Sequence, residues 1–291
     1  LELDHTDHYP NLEALVATMR RFGSRCQQLL ANRDCPVLRQ QFKADHWWSI
    51  EQPQQVAFAA VATQSRGDRT LADYYEQGQR IGSLMVPLPG LHNLSNVTAA
   101  IAACRLEGVS FAELQQAVAG LQPPGRRFDY RGTWQGRQVV DDYAHHPSEV
   151  MATLQMARLM VSSGASPLPS PPQRVLAVFQ PHRYSRTAQF LEGFAEALAS
   201  ADAVLVAPLY SAGESAIAGI SSRALAAAIE RYNPHLCVDV ADSLDALAEL
   251  VASSSQPGDL VLAMGAGDIN GLWERLSRLD GSDGTLPLLA A

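Results

Sequence analysis

The sequence has no long apolar run, since none of its hydrophobic stretches approaches the roughly 20 residues that a membrane-spanning helix requires. It has no excess of positive charge either, because its 291 residues give a formal net charge of −8, which argues against a nucleic-acid partner. The four cysteines, at positions 26, 35, 104 and 237, match neither zinc nor redox spacing. The lack of a long apolar run predicts a protein that does not insert into a membrane. A small number of widely spaced cysteines is typical of cytoplasmic proteins.

The chain begins with Leu1, and its first nine residues lack the charged and apolar regions of a signal peptide. We expect that the N-terminal part of a larger protein is missing, although tag removal or an artificial boundary would explain the same start. Within this segment, Asp4-His5-Thr6-Asp7-His8 combines two acids and two imidazoles. Such residues can bind a divalent cation, and a polar start to a helix is the alternative interpretation.

The segment Gln122-Pro123-Pro124-Gly125 predicts a domain boundary, because two prolines and a glycine cannot continue a helix. We therefore predict one domain over residues 1–122 and a second over residues 123–291. In the first, Asn11 and Ser110 are expected to cap helices over residues 12–22 and 111–121. Further expectations there are strand-like pieces at 27–30, 56–61 and 81–86, and a helix from a cap at Asn93 to about residue 107.

The second domain is predicted to be a mostly parallel, doubly wound sheet, because strands alternate with helices of 10–15 residues. It opens with a hairpin over residues 130–140 that turns at Gln135-Gly136. The expected strands are 175–179, 203–207, 236–240 and 260–264, and the expected helices are 148–161, 188–198, 222–232, 244–252 and 272–279. Residues 280–291 are expected to form a frayed tail.

Two polar segments follow predicted strands of this sheet. Asp141-Asp142-Tyr143-Ala144-His145-His146-Pro147 comes after one strand, and Pro181-His182-Arg183-Tyr184-Ser185-Arg186 comes after the next. Ligands of open parallel sheets bind beyond the carboxyl ends of the strands, so we expect both segments to converge on one cleft. Carboxylates, imidazoles and guanidinium groups together suit chemistry in which anions are held and charge develops.

Three other segments have competing interpretations. The helix start at 91–96 can face an anion or simply carry the cap Asn93. Gly125-Arg126-Arg127-Phe128-Asp129 offers two guanidinium groups to phosphate or carboxylate oxygens, or is an ordinary charged edge. Gly265-Ala266-Gly267-Asp268 resembles part of a dinucleotide fingerprint but has the wrong glycine spacing, so we interpret it as a tight turn. No serine has the context of a hydrolase nucleophile.

Taken in chain order, these segments resemble the Mur ligase family. The strings that carry the resemblance are Leu1–Asp7, Leu91–Asn96, Gly125–Asp129, Asp141–Glu149, Phe179–Thr187, Tyr210–Glu214 and Met264–Ile269. The resemblance implies the fold class: the later part of a central ATPase-type α/β domain, followed by a Rossmann-like C-terminal ligase domain. It also implies an ATP- and Mg²⁺-dependent enzyme of bacterial peptidoglycan synthesis, which joins L-alanine to the carboxylate of UDP-N-acetylmuramate.

The same resemblance implies roles for individual residues. His5 is a magnesium ligand, and Asn93 and Asn96 lie near the nucleotide base. Arg127 and Asp142 hold the phosphates and ribose of ATP and, with His145, form the catalytic group. The substrate-binding residues are implied to be Tyr143, His145, His182, Arg183 and Arg186.

One departure from the family pattern limits these expectations. The family's phosphate-binding Gly-Lys-Thr/Ser loop is absent, since the sequence contains no Gly-Lys pair. The chain alone is therefore expected to lack ATP hydrolysis. Alternatives are a recycling ligase that joins a peptide to the same sugar nucleotide, an inactive ligand-binding fragment, and a family member acting on folate or another polypeptide. The sequence leaves the oligomeric state open.

Overall fold

The computed structural model describes residues 1–6 and 8–280, which form two compact units divided between Gln122 and Pro123. The predicted tail over 280–291 lies outside the described residues except for Asp280. Among the helices that the structure describes, none is both long and apolar enough to cross a membrane.

The first unit is built on a five-stranded sheet in the order β1-β2-β3-β4-β5. The first three strands pair in parallel and the last three pair antiparallel. Its elements are α1 (Leu12–Gly23), β1 (Leu30–Asn32), α2 (Pro36–Gln41), β2 (His46–Ser49), a 3-10 turn (Pro53–Gln55), β3 (Phe58–Ser65), β4 (Thr70–Glu76), β5 (Gln79–Val86), α3 (Leu91–Leu106) and α4 (Phe111–Ala119). Apolar residues of α3 and α4 pack with those of the sheet in one core.

Helix caps in the first unit follow the sequence in two cases and differ in one. The Asn11 side chain accepts a hydrogen bond from Ala14 N–H, and Ser110 forms a capping box with Glu113. The prediction that Asn93 caps α3 is wrong, because the helix begins at Leu91 with Gly90 at the cap position. Asn93 lies in the first turn, where its amide donates to Pro89 O at 2.7 Å.

The second unit is a doubly wound sheet, as predicted. Its strand order is β10-β9-β8-β11-β7-β6, in which every pairing is parallel except that of β6 with β7. The elements are β6 (Asp129–Trp134), β7 (Arg137–Asp142), α5 (Pro147–Ser163), β8 (Arg174–Phe179), α6 (Tyr184–Leu198), β9 (Ala203–Val206), α7 (Ser222–Tyr232), β10 (Cys237–Val240), α8 (Leu244–Ser254), β11 (Asp259–Met264), a 3-10 turn (Asp268–Gly271) and α9 (Leu272–Leu279).

Alternate residues of the strands enter different cores, because successive side chains point to opposite faces of a sheet. In β8, Val175, Ala177 and Phe179 join one core with residues of α5, α6 and α7. Leu176 and Val178 join the other with residues of α8 and α9. With both faces covered, functional side chains are left to the strand ends.

Gly132 in β6 gives a prediction for stability. Its φ is +152°, and a Cβ built there would overlap the indole ring of Trp273 on α9. Gly132→Ala is therefore expected to lower the free energy of unfolding by about 1–3 kcal/mol, the usual result of forcing extra volume into a packed core. Urea titration measures this, and Gly125→Ala is the matched control, because no atom lies within 4 Å of a Cβ there. Equal losses in the two variants would contradict the packing argument.

Candidate active site at the strand ends of the second unit

The candidate site lies where the carboxyl ends of β7, β8 and β11 are adjacent. β11 pairs with β7 on one side and with β8 on the other. The strand between β7 and β8 in the sheet is β11, the last described strand of the chain. Such a reversal of strand order opens a crevice in doubly wound sheets. Three segments meet there: the residues after β7, those after β8, and the glycine turn after β11.

The two polar segments predicted to converge are close to each other. The ring centroids of His145, after β7, and His182, after β8, are 6.3 Å apart. Tyr143 lies edge-on to His145 at 5.0 Å between ring centroids. His145 Nδ1 is 2.8 Å from the carbonyl oxygen of Tyr143 and 3.3 Å from Glu149 Oε2.

Asp141 and Asp142 are placed differently from the expectation that they follow a strand. They are the last two residues of β7, where they pair with Ala263 and Met264 of β11. Asp142 is 4% exposed, and its carboxylate accepts hydrogen bonds from the main chain on both oxygens. Phe128 N–H donates to Oδ2 and Ala144 N–H donates to Oδ1, each at 2.8 Å.

Burial raises the pKa of Asp142, although these two N–H groups oppose the shift by favouring the charged form. Both oxygens of this carboxylate therefore already hold the main chain of the site. Its predicted contact with ribose remains a prediction, and any such contact would add to these two bonds.

Arg127 is the more accessible of the two neighbouring arginines after the domain boundary. Its side chain is 51% exposed, and its Nη1 lies 3.6 Å from Glu149 Oε1. Its guanidinium carbon is 6.0 Å from the centre of the Tyr143 ring. Glu149 also accepts from His145 N–H at 3.0 Å and from His146 N–H at 3.2 Å, so it connects Arg127 to the start of α5.

Helix α6 begins at Tyr184, inside the basic segment and four residues before the predicted start at residue 188. Arg183 is the cap residue, with φ +69°, and Arg186 lies in the first turn. Arg186 is 6% exposed, and its Nη1 is 3.4 Å from His182 Nδ1. Arg183 is more accessible, at 32% exposure, and its Nη1 lies 3.7 Å from Glu214 Oε1. Arg183 therefore has better access to a bound anion than Arg186 has.

His182 is held neutral at physiological pH. Partial burial, followed by the positive charges of Arg186, His145 and Arg183, lowers its pKa to about 4. Its ring stacks on that of Tyr210, with centroids 5.5 Å apart and an interplanar angle of 9°. A neutral imidazole between two arginines can accept a hydrogen bond without repelling a cation.

We expect the imidazole resonances of His182 to titrate near pH 4, and Arg186→Met to raise that midpoint by removing one cause of the shift. NMR titration with His182→Gln for assignment measures both. Since the folded-state pKa lies below the ordinary value of about 6.5, the unfolded chain binds the proton first. The contribution of His182 to stability is then present above pH 6.5 and lost as pH falls towards 4. A wild-type midpoint near 6.5 would contradict this environment.

Two residues that sequence reasoning missed connect the loops. The amide of Gln180 is buried, donates to Pro208 O and to Asp268 Oδ1, and accepts from Ile269 N–H at 3.1 Å. Glu214 accepts from Ser185 N–H at 2.9 Å and from Ser185 Oγ at 2.7 Å. Both residues lie in strings that carry the family resemblance, Phe179–Thr187 and Tyr210–Glu214, but the sequence assigns neither of them a role.

Burial, the largest single influence on the Glu214 carboxyl, would raise its pKa. The hydrogen bonds from Ser185 and the charge of Arg183 together outweigh burial and lower the pKa below its ordinary value. Glu214 is thus an anion fixed at the first turn of α6.

The other predicted site residues, His5, Asn93 and Asn96, lie in the first unit. Asn93 and Asn96 are three residues apart on α3, which places them on one face of the helix. His5 has an exposed ring 3.7 Å from Asp4 Oδ2, and Asp7 lies outside the described residues. Over 1–6 and 8–280, no group of three or more His, Cys, Asp or Glu side chains is placed to hold a metal ion.

Family models match both units of the chain. A family model described as "Mur ligase middle domain" matches residues 1–104, and one described as "Mur ligase, glutamate ligase domain" matches residues 126–267. A protein of Prochlorococcus marinus (strain MIT 9313) named UDP-N-acetylmuramate--L-alanine ligase is 62% identical over 291 residues, all of this chain and 60% of that protein. The chain thus spans about 60% of the length of such curated relatives.

Solved structures share the fold. The UDP-N-acetylmuramate-alanine ligase MurC of Thermotoga maritima has a TM-score of 0.74 at 21% identity, covering 96% of this chain and 58% of that one. The MurF ligase of the same organism, solved in complex with ADP, has a TM-score of 0.67 at 17% identity, covering 94% and 59%.

Proposed function

Because this chain belongs to the Mur ligase family, we propose that it carries the nucleotide-facing and amino-acid-facing parts of an enzyme that joins L-alanine to UDP-N-acetylmuramate. One observation carries the proposal: the acid–imidazole segment after β7 and the basic segment after β8 meet at one edge of the sheet, with His145 and His182 6.3 Å apart. A relative at 62% identity over the whole chain bears the name of this activity.

The carboxylate of the sugar nucleotide would take the γ-phosphate of ATP, giving an acyl phosphate and ADP. The amine of L-alanine would then attack the acyl carbon and displace inorganic phosphate, forming the amide bond. The residues fit an anionic ligand such as ATP, because Arg127 offers a half-exposed guanidinium beside an aromatic ring. Arg127 would contact phosphate oxygens, and Asn93 and Asn96 would lie near the base. Asp142 would hold the surrounding main chain and, as predicted, the ribose.

The incoming amino acid would lie at the basic segment. Arg183 would pair with a substrate carboxylate, and the buried Arg186 would act on it through the neutral His182. Tyr143 and His145 would border the same space from the other segment. Positioning and fixed positive charge are the main contributions that such groups make when negative charge develops during a reaction.

The described residues do not form a complete site for Mg²⁺. His5 is a predicted ligand and would supply one of the several donors that Mg²⁺ requires. We place the enzyme in the cytoplasm, which its four free cysteines favour.

The proposal is tested with a chimera in which these 291 residues replace the matching region of the Prochlorococcus relative. Phosphate release is measured with ATP, UDP-N-acetylmuramate and either L-alanine or a tripeptide. We expect release that requires L-alanine. A preference for the tripeptide would support the recycling ligase instead, and no amine-dependent release from a folded chimera would contradict the proposal.

The 291-residue chain is assayed alone in parallel. Without the Gly-Lys loop we expect it to bind ligands but release no phosphate. ATP-dependent release by the chain alone would contradict that expectation.

A further inference from the structure

Arg126, the neighbour of Arg127, has no role in the proposed reaction, yet its guanidinium contacts three parts of the site. Its Nε lies 3.2 Å from Asp141 Oδ2 on β7, and its Nη2 donates to Gly265 O in the glycine turn at 3.0 Å. Its guanidinium carbon lies 4.7 Å from the centre of the Tyr143 ring, within the range of a cation–π interaction. One side chain therefore contacts the end of β7, the residue beyond it, and the turn after β11.

The main chain of Arg126 is held as well. Its φ of +57° is in the left-handed region, which a non-glycine residue keeps only when its surroundings determine it. Tyr143 N–H donates to Arg126 O at 2.9 Å, and Arg127 N–H donates to Pro124 O at 3.2 Å. The direction in which the chain enters Arg127 therefore depends on how Arg126 is fixed.

Asp141 depends on Arg126 in turn. This carboxylate is 3% exposed, and its Oδ1 is buried without a hydrogen-bond partner. Burial raises its pKa even though the charge of Arg126 opposes the shift. A buried carboxylate with one unmatched oxygen is tolerated when a cation lies beside it, and would be costly if that cation were removed.

The neighbouring arginines thus differ in what they contact. Arg126 is 31% exposed and has partners on two strand ends, whereas Arg127 is 51% exposed and lies 3.6 Å from one carboxylate. We propose that Arg126, paired with Asp141, is a positioning residue, which fixes the Tyr143 ring and the glycine turn and thereby directs Arg127 towards a bound anion. The identity of the bound anion rests on the proposed function, whereas the positioning role of Arg126 does not.

The test uses the 291-residue chain and three substitutions. Arg126→Met keeps the aliphatic stem and removes the charge, Asp141→Asn removes the partner's charge, and Arg127→Met is the matched control on the next residue. Amide hydrogen exchange by NMR is read at Tyr143 and Gly265, whose N–H groups donate to Arg126 O and Asp142 O. Amides in α7 report global opening, because this helix connects β9 and β10, at the opposite end of the strand order from β7.

We expect Arg126→Met to speed exchange at Tyr143 and Gly265 by roughly tenfold or more, with α7 amides unchanged. Asp141→Asn should reproduce the local pattern, and the double variant should exchange no faster than Arg126→Met alone, because both changes break one pair. Arg127→Met should leave exchange unchanged. Unaltered exchange in Arg126→Met, or a uniform increase that includes α7, would overturn the inference. Should Arg126→Met fail to fold, Asp141→Asn decides by the same criteria.

ADP binding, measured by calorimetry, separates the two proposals. Arg126→Met and Arg127→Met should both weaken ADP binding by roughly tenfold, while only the first alters exchange; conservative Arg126→Lys should recover part of the affinity. A wild-type chain that binds no ADP but shows the predicted exchange pattern would count against the nucleotide roles and leave the positioning role supported. Weakened binding in Arg127→Met alone would overturn the coupling of Arg126 to the anion.

Discussion

Arg183→Ala is expected to lower kcat/KM of the chimeric ligase by roughly 100-fold, the usual loss when one fixed donor to developing negative charge is removed. Arg183 is the accessible guanidinium of the basic segment, and it is fixed by the left-handed backbone at the start of α6 and by Glu214. Its loss removes a contact that both binds a substrate carboxylate and orients the substrate for the reaction. We therefore expect KM for L-alanine to rise because binding weakens, and kcat to fall because the bound substrate is less well oriented.

The matched control for this experiment is Arg223→Ala. Arg223 is 71% exposed and pairs with Asp242, which is 81% exposed, so the change should alter kcat/KM by less than about twofold. Both variants are assayed under conditions that vary one substrate at a time. Unchanged kcat and KM in Arg183→Ala would remove this residue from the site.

The second large effect concerns stability. Asp142→Ala is expected to reduce the free energy of unfolding by about 3 kcal/mol, because it leaves the N–H groups of Phe128 and Ala144 without their acceptors in a buried place. Urea unfolding measures this. Thr153→Val is the control, since its hydroxyl makes only a long 3.4 Å contact with the same carboxylate and should cost under about 1 kcal/mol. Equal losses would show that Asp142 does not hold these segments.

The effect of Asp142→Ala should also depend on pH. Burial raises the pKa of this carboxyl, so the folded chain holds the proton more tightly than the unfolded chain does. The stabilising contribution of Asp142 is therefore largest below the ordinary value near 3.9 and declines as pH rises through the folded-state pKa. The wild-type-minus-variant difference in unfolding free energy should shrink over that window, and a difference that grows with pH would contradict the sign.

Most of the second unit could be predicted from the sequence, because its strands are short apolar runs and its helices have local caps such as Ser221 and Ser243. The start of α6 could not. Ser185 N–H in its first turn is satisfied by Glu214, which is 29 residues away, so no local pattern reveals the true first turn. The end of β7 was also missed, because pairing with β11 carries the strand through two aspartates that disfavour strands by propensity.

The first unit was predicted less completely. Strands β2 and β4 and the short helix α2 were not expected, and the cap of α3 lies at Gly90, three residues before the predicted Asn93. A side-chain amide is a good cap by type, yet here the positive φ of +96° at Gly90 sets the boundary. Within the candidate site, sequence patterns predicted that the segments after β7 and β8 lie together, and the His145 and His182 ring centroids are 6.3 Å apart. The patterns did not identify the residues that join loops, because those contacts span 28 to 89 positions of the chain.

The buried amide of Gln180 has a consequence for engineering. Since a single side chain satisfies groups from the loops after β9 and β11, neither loop is an independent module. Gly267 has no room for a Cβ because Gln180 and Tyr210 occupy that space, so the turn tolerates little redesign alone. Grafting one loop from a relative would leave the Gln180 amide without a partner or create a clash. A loop exchange should therefore move Gln180, the Pro208–Glu214 segment and the glycine turn together.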